Sequence, residues 1–394
     1  MTDVPLPLQH VRVLDLSRLL PGPLASLVLA DMGAEVDKIE DTAGGDYLRA
    51  MPPALGEGEH ATSSAFLALN RNKRSAVLDL KKPRARDALL RMLPRYDVVL
   101  EQFRPGVLDR LGLSHQTMLA ANPRLVVCAL TGYGQDGPLA HRAGHDLNYL
   151  ARAGVLGQQG PAEGPPTVPG FQLADVSGGL YAVVGILGAL LERARTGEGK
   201  VLDVAMVETA MPFAMAGFGL AFGGQALARG GEALTGGLAP YNTYATKDGR
   251  AMTLGALEPK FWMAFCEGTG RAAALTDLMP GPHQAALVAE LRELFASRTR
   301  EEWIAFAETR DCCLEPVLSP EEAREDAHLA ARGMFFSLAT AHWGTVPQMR
   351  TPLTPKERAH AAPPQKGEHT DAILRDGGLS AEEIAELRAS GAAR

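Results

Sequence analysis

A chain of 394 residues, 46% hydrophobic and 22% charged, has the composition of a folded globular protein and is too long for one ordinary core. That excludes a disordered or fibrous chain and predicts two domains. A formal net charge of -7 gives no general attraction for nucleic acid or an anionic membrane, so an anionic ligand has to be met by a few placed cations.

The N-terminal stretch MTDVPLPLQHVRVLDLS lacks the charged and apolar regions of a secretory signal, and no export is expected. Apolar, β-branched runs at 11–17, 34–40, 75–81, 97–103 and 124–134 predict strands. Amphipathic stretches stand between them: one opens at Pro21 and Pro23 and ends at Gly33, another covers 83–94. This alternation predicts an α/β fold with a mostly parallel, Rossmann-like sheet covered on both faces. A long helix is expected from Asp175 to about Thr196, then a strand at 201–206 and a Gly-rich apolar helix ending near 229. The apolar runs 178–191 and 204–228 are read as core helices and not membrane spans, because the first is short and the second carries Glu208, Pro212 and several glycines.

The run RGGEALTGG at 229–237 reads as a linker. Beyond it a hairpin turning at Asp248-Gly249 and helices near 259–270, 284–297 and 300–310 predict a smaller α+β domain. The expected division is a large domain over 1–206, a linker helix and loop over 207–237, a small domain over 238–336, and a return to the large domain over 337–394. Within that return, 345–369 is rich in proline and polar residues and 370–394 is helical.

Four cysteines, Cys128, Cys266, Cys312 and Cys313, show no metal-like spacing and fit a reduced, cytoplasmic setting. His141 and His145 are separated by Gly144 and have no third ligand nearby, so neither a metal nor a resident cofactor is expected. A literal GxGxxG spans Gly132 to Gly137, but Pro138 follows and no acidic residue stands about 20 positions on, which favours a plain turn over dinucleotide binding. Three patches join ionisable groups to turn residues: Gly144 to Tyr149, Phe171 to Gly179, and Leu257 to Trp262. Each has a structural reading, with Asp175 as a helix N-cap, His145 as a hydrogen-bonded turn residue and Glu258 as a solvated acid. Each also has a catalytic one.

Together the blocks LDLSRLLPGPLASLVLADMGAEVDKIE, NRNKRSAVLDLK, EQFRPGVLDRLGL, TGYGQDGP, AGHDLNY, LADVSGG, DGR and ALEPKFW resemble the class III CoA-transferase superfamily from about residue 8 to 336. The resemblance implies an acyl-CoA substrate and an interlocked homodimer in which the small domain of one chain closes over the large domain of the other. In its α-methylacyl-CoA racemase branch, His145 and Asp175 correspond to acid and base on opposite faces of the α-carbon, and Glu258 to the carboxylate that orients the imidazole. In its transferase branch the same Asp175 is a nucleophile that passes through an acyl anhydride and an aspartyl-CoA thioester, and the loop histidine is generally absent. His145 and Glu258 therefore favour 1,1-proton transfer at the α-carbon of a 2-methyl-branched acyl-CoA over CoA transfer between carboxylic acids. A non-catalytic CoA-binding protein would have no need for the set.

The implied CoA contacts are Leu78, Asp79, Leu80 and Lys81 at the nucleotide end, Arg104 and Arg110 for phosphate, and Gly144, Asp146, Leu147, Asn148 and Tyr149 along the pantetheine. Two departures stand out. Phe171 and Gln172 occupy the place where the racemase branch has an asparagine four residues before its aspartate, and Asp41-Thr42 stands where it has Arg-Pro for the CoA phosphate. Lys38, Arg71, Lys73, Arg74, Arg104 or Arg110 would then have to supply that cation. The N-H groups at the start of the Asp175 helix are expected to be open to a developing enolate oxygen.

Overall fold

The computed structural model describes residues 6–394; the first five, part of the stretch read above for an export signal, lie outside the described residues. Six strands, β1 (Arg12–Asp15), β2 (Glu35–Glu40), β3 (Lys73–Val77), β4 (Val98–Glu101), β5 (Val126–Thr131) and β6 (Lys200–Ala205), form one sheet. All neighbours run parallel, in the order β3-β2-β1-β4-β5-β6. The VVLE of β4 and the VVCALT of β5 are buried along their whole length, as a parallel sheet covered on both faces requires. The chain works outward from β1 in both directions, so β1 and β4 flank the switch point where such sheets hold their ligands.

Helices α1 (Pro21–Asp31), α2 (Pro83–Met92), α3 (His115–Ala121), α4 (Asp146–Arg152) and α5 (Leu173–Thr196) cover this sheet. Helix α1 starts on Pro21, where a missing N-H costs nothing. On α5 a Cβ at Gly179 would stand 2.6 Å from the Pro21 carbonyl oxygen, so only glycine lets these two helices approach. The expectation of a core helix holds for one face of α5, where Ala174, Ser177, Ala182, Val183, Ile186 and Ala189 are buried. On the other face Leu180, Tyr181, Val184 and Leu191 are 41–72% exposed. By length and composition alone α5, at 24 residues, is long and apolar enough to cross a membrane. The expected single helix over the following apolar run is broken at Pro212 and ends at Phe222.

By its contacts the chain divides into two units. The first runs to Ala153 and adds Phe171–Pro212 and Ala327–Arg394; the second joins Gly154–Gly170 to Phe213–Asp326. In the second unit β7 (Tyr241–Ala245), β8 (Ala251–Gly255) and β9 (Leu314–Pro316) form an antiparallel sheet, with β7 and β8 joined through Asp248-Gly249. Helices α6 (Pro259–Thr269), α7 (His283–Ala296) and α8 (Arg300–Glu308) pack on it around an aromatic core of Tyr244, Trp262, Phe265, Phe295, Trp303 and Phe306.

After Asp326 the chain belongs to the first unit, ten residues earlier than the expected end of the small domain at 336. There β10 (Phe335–Thr340) pairs with β11 (Gly344–Met349), a hairpin lying partly in the stretch read from sequence as a proline-rich connection. Pro347 in β11 masks it, since proline removes a ladder donor and is confined to edges and two-stranded pieces. The tail folds as α9 (Thr370–Asp376) and α10 (Ala381–Ala389), whose Ile373, Leu374, Ile384 and Leu387 join the main core. The last residues then run beside the end of β3. The Asp79 amide donates to the Ala392 carbonyl at 2.9 Å, and the Arg394 amide to Val77 at 3.2 Å.

Buried ion pairs tie these pieces together. Arg71, fully buried, pairs with Asp31 at the end of α1 and donates to the Gln348 side chain of β11 at 3.0 Å. Asp31 also accepts from Asn72 and Thr351, each at 2.8 Å. Removing the guanidinium would leave Asp31 charged and dry, so Arg71→Met is expected to cost about 3–5 kcal/mol of unfolding free energy. Chemical denaturation measures this; a loss under about 1 kcal/mol would mean that the neutral donors Asn72 and Thr351 suffice to hold the carboxylate.

Candidate active site

The carboxyl ends of β1 to β5 open onto one cleft of about 720 Å3, within the range of small-molecule sites, roughly 300–1,000 Å3. Its walls lie wholly in the first unit. At one end stand Arg18, Asp41, Tyr47 and Leu78 to Lys81; at the other stand Leu130 to Tyr133, Gly144, His145, Tyr149, Asp175 and Met206. Gln102, Phe103 and Arg104 line it from the end of β4.

His145 is the N-cap residue of α4. Its backbone is fixed reciprocally by Asn148: the His145 amide donates to Asn148 Oδ1 at 3.0 Å, and the Asn148 amide to the His145 carbonyl at 2.8 Å. The imidazole is exposed into the cleft and makes no hydrogen bond among the described residues. Tyr149, one turn on, donates to the Gly144 carbonyl at 2.5 Å, and its ring fills the space a Cβ at Gly132 or Gly144 would occupy. Gly132 to Gly137 therefore forms a tight turn against Tyr149, with Gly134 and Gly137 at positive φ and no helix after it. Burial, with Asp175 next in size, pushes the Tyr149 phenol up to about 12, so it stays protonated.

Asp175 is not the N-cap. Gln172 holds that position without a side-chain bond, and Asp175 is the third residue of α5. The cap comes from another helix: Asp146 Oδ1 accepts the amides of Ala174 at 2.7 Å and Asp175 at 3.1 Å. Two of the N-H groups expected to be open to an enolate oxygen, those of Ala174 and Asp175, are thus already bonded. A carboxylate normally gains from a helix N-terminus, but here Asp146 has taken that benefit and adds a second negative charge. Burial, reinforced by Asp146, pushes the Asp175 carboxyl up to about 7.

Among the other CoA-contact residues expected from sequence, Leu78, Asp79, Leu80, Lys81, Arg104, Gly144 and Tyr149 line the cleft, whereas Arg110, Asp146, Leu147 and Asn148 do not. Lys38, Arg71, Lys73 and Arg74 drop out as phosphate cations because each is already paired, respectively with Asp46, Asp31, Asp15 and Asp37. Glu258 belongs to the second unit, where it is exposed at the start of α6; its carbonyl accepts the Phe261 and Trp262 amides, and its carboxylate makes no hydrogen bond or ion pair among the described residues. Sequence reasoning missed Arg18 and Arg142. With Lys81 and Arg104 they are the cleft cations that have no ion pair among the described residues. The position of Arg18 directly after a parallel strand was the available signal.

Such a sheet and cleft define an α/β protein with an open cleft at the switch point of its parallel sheet. The chain belongs to CoA-transferase family III, whose model matches residues 8–370, a family of enzymes acting on CoA thioesters. It is 38% identical over 383 residues to the α-methylacyl-CoA racemase of Mus musculus, covering 96% of each chain. To the succinate–glutarate CoA-transferase of Agrobacterium fabrum it is 32% identical, over 95% of this chain and 97% of that one. A CAIB/BAIF family protein from Brucella suis superposes with a TM-score of 0.82 at 29% identity, covering 94% of this chain and 99% of that one.

The raised Asp175 value sets a test with a defined sign. Its carboxyl titrates near 7 when folded against 3.8 for the ordinary group. The stability this group contributes is therefore present below about pH 4 and is lost as pH rises through about 7. Asp175→Asn is expected to gain melting temperature relative to the parent at pH 8 and not at pH 4. An equal difference at both pH values would show that the carboxyl titrates normally.

Proposed function

We propose that this protein is an acyl-CoA epimerase that inverts the α-carbon of a 2-methyl-branched acyl-CoA by 1,1-proton transfer. The observation that carries the reading is an imidazole and a carboxyl of raised proton affinity, His145 and Asp175, lining one cleft. Inversion needs one group to remove the α-proton while another holds a proton for the opposite face. A carboxyl that titrates near 7 is present in both forms at neutrality, as an ordinary aspartate near 3.9 is not.

In one direction the imidazole takes the α-proton, the electrons of the C-H bond delocalise into the thioester carbonyl as an enolate, and Asp175 delivers its proton to the other face. The reverse direction exchanges the roles. The exposed apolar face of α5, from Leu180 to Leu191, supports a homodimer that covers it.

The competing reading is CoA transfer through an Asp175 thioester, supported by the likeness to the Agrobacterium fabrum transferase. It makes no use of His145. Incubation in D2O with a panel of branched acyl-CoA esters, read by mass spectrometry, is expected to show one deuterium gained at the α-carbon. Asp175→Asn and His145→Ala are each expected to slow that exchange by about 10²- to 10⁴-fold. No exchange with any ester, together with a hydroxylamine-trapped Asp175 adduct and full transfer activity in His145→Ala, would establish the transferase instead.

A further inference from the structure

At the end of β2, where the racemase-like pattern has Arg-Pro, this chain has Asp41. Its carboxylate accepts the backbone amides of Ala43, Gly44 and Gly45 at 2.9, 2.9 and 3.0 Å. Successive amides turned to one point make an anion site, and here the protein's own carboxylate fills it. A phosphate arriving at this end of the cleft is met by neither the usual arginine nor the free amides.

Arg18 stands beside this turn. It is exposed, lines the cleft together with Asp41 and Tyr47, and has no ion pair within 4 Å among the described residues. Its guanidinium lies 4.3 Å from the centre of the Tyr47 ring. Stacking of that kind holds the flat face of the cation and leaves its N-H edge for an anion. The Asp41 carboxylate is close enough to feel its charge.

The backbone on both sides of Arg18 is pinned from the interior. Buried Lys38 donates to the Ser17 carbonyl at 2.7 Å, and the Leu19 amide donates to Asp46 at 3.0 Å. Lys38 and Asp46 are themselves a buried ion pair at 2.9 Å. Leu19 sits at φ 66, a left-handed conformation that is strained for a leucine and persists only where the surroundings impose it. The surroundings here are that ion pair, and the strained turn aims Arg18 outward.

We propose that Arg18, stacked on Tyr47 and set by the Lys38–Asp46 pair, is the specificity-determining cation that binds the phosphorylated, nucleotide end of the CoA thioester. The proposal rests on the acyl-CoA reading above and concerns the opposite end of the ligand from the reacting carbon.

Calorimetric titration of the full chain with CoA, 3′-dephospho-CoA and pantetheine, alongside kinetics on the matching thioesters, tests it. Arg18→Ala is expected to weaken CoA by roughly 10- to 100-fold, the size of a lost charge-assisted contact. The ratio of kcat/KM for the CoA thioester over the pantetheine thioester is expected to fall by a similar factor. Arg18→Lys keeps the charge without the planar fork and is expected to fall between the two. Parental affinity for CoA in Arg18→Ala would overturn the proposal, as would equal losses on the CoA and pantetheine thioesters, which mark a structural defect. A parent protein that binds no CoA would instead overturn the acyl-CoA reading, and this assignment with it.

Discussion

One carboxylate organises the end of the cleft where His145 and Asp175 stand. Asp146 stands in the first turn of α4, takes two amides from the first turn of α5, and so fixes the helix carrying Asp175 to the helix that starts behind His145. The same contact decides the chemistry of Asp175. Had the amides been left open, they would have favoured the ionised form. Given to Asp146, they leave Asp175 in a desolvated place beside a like charge, where a proton is retained to about 7. The geometry therefore depends on a residue that does not itself line the cleft, and the proton affinity on burial first and on that residue second.

The opposite end obeys a related logic with buried cations. Lys38 and Lys73 are buried among Asp15, Asp46 and Glu40, and their ammonium groups hold nearby backbone: Lys38 the Ser17 carbonyl in the loop after β1, Lys73 the Pro23 carbonyl in the first turn of α1. Burial drives Lys73 down to about 7 even with Asp15 alongside, whereas Asp15, Asp46 and Glu40 outweigh burial at Lys38 and raise it. These lysines, both already paired, brace the loop after β1 and the start of α1.

The sheet was legible in the sequence because most of its strands are apolar runs bounded by turn residues: β1, β2, β4 and β5 fall within the stretches that predicted them, while β3 begins two residues before its stretch and β6 one residue before. The β10–β11 hairpin was not, since Pro347 and alternating burial over six residues look like a loop until a partner is known. At the site, residues that follow strands directly, such as Leu78 to Lys81, could be placed on one side of the sheet by topology. What could not be read was pairing over long separations. Arg71 looked like a free cation because Asp31, 40 positions earlier, gave no local sign of being its partner. Asp175 looked like its own cap because Asp146, 29 positions before it, supplies the cap from another helix.

The backbone partners of Asp79 and Val77 are Ala392 and Arg394, more than 300 positions away. Translation delivers the Leu78 to Lys81 wall of the cleft more than 300 residues before its bracing, so β3 waits on the ribosome as an open sheet edge until residues 392–394 have emerged. An edge left unpaired that long is where a nascent protein is most exposed to wrong pairing. The second unit, in contrast, lies mostly in one uninterrupted stretch and has its described strands by residue 316, so it can condense while the first unit is still incomplete.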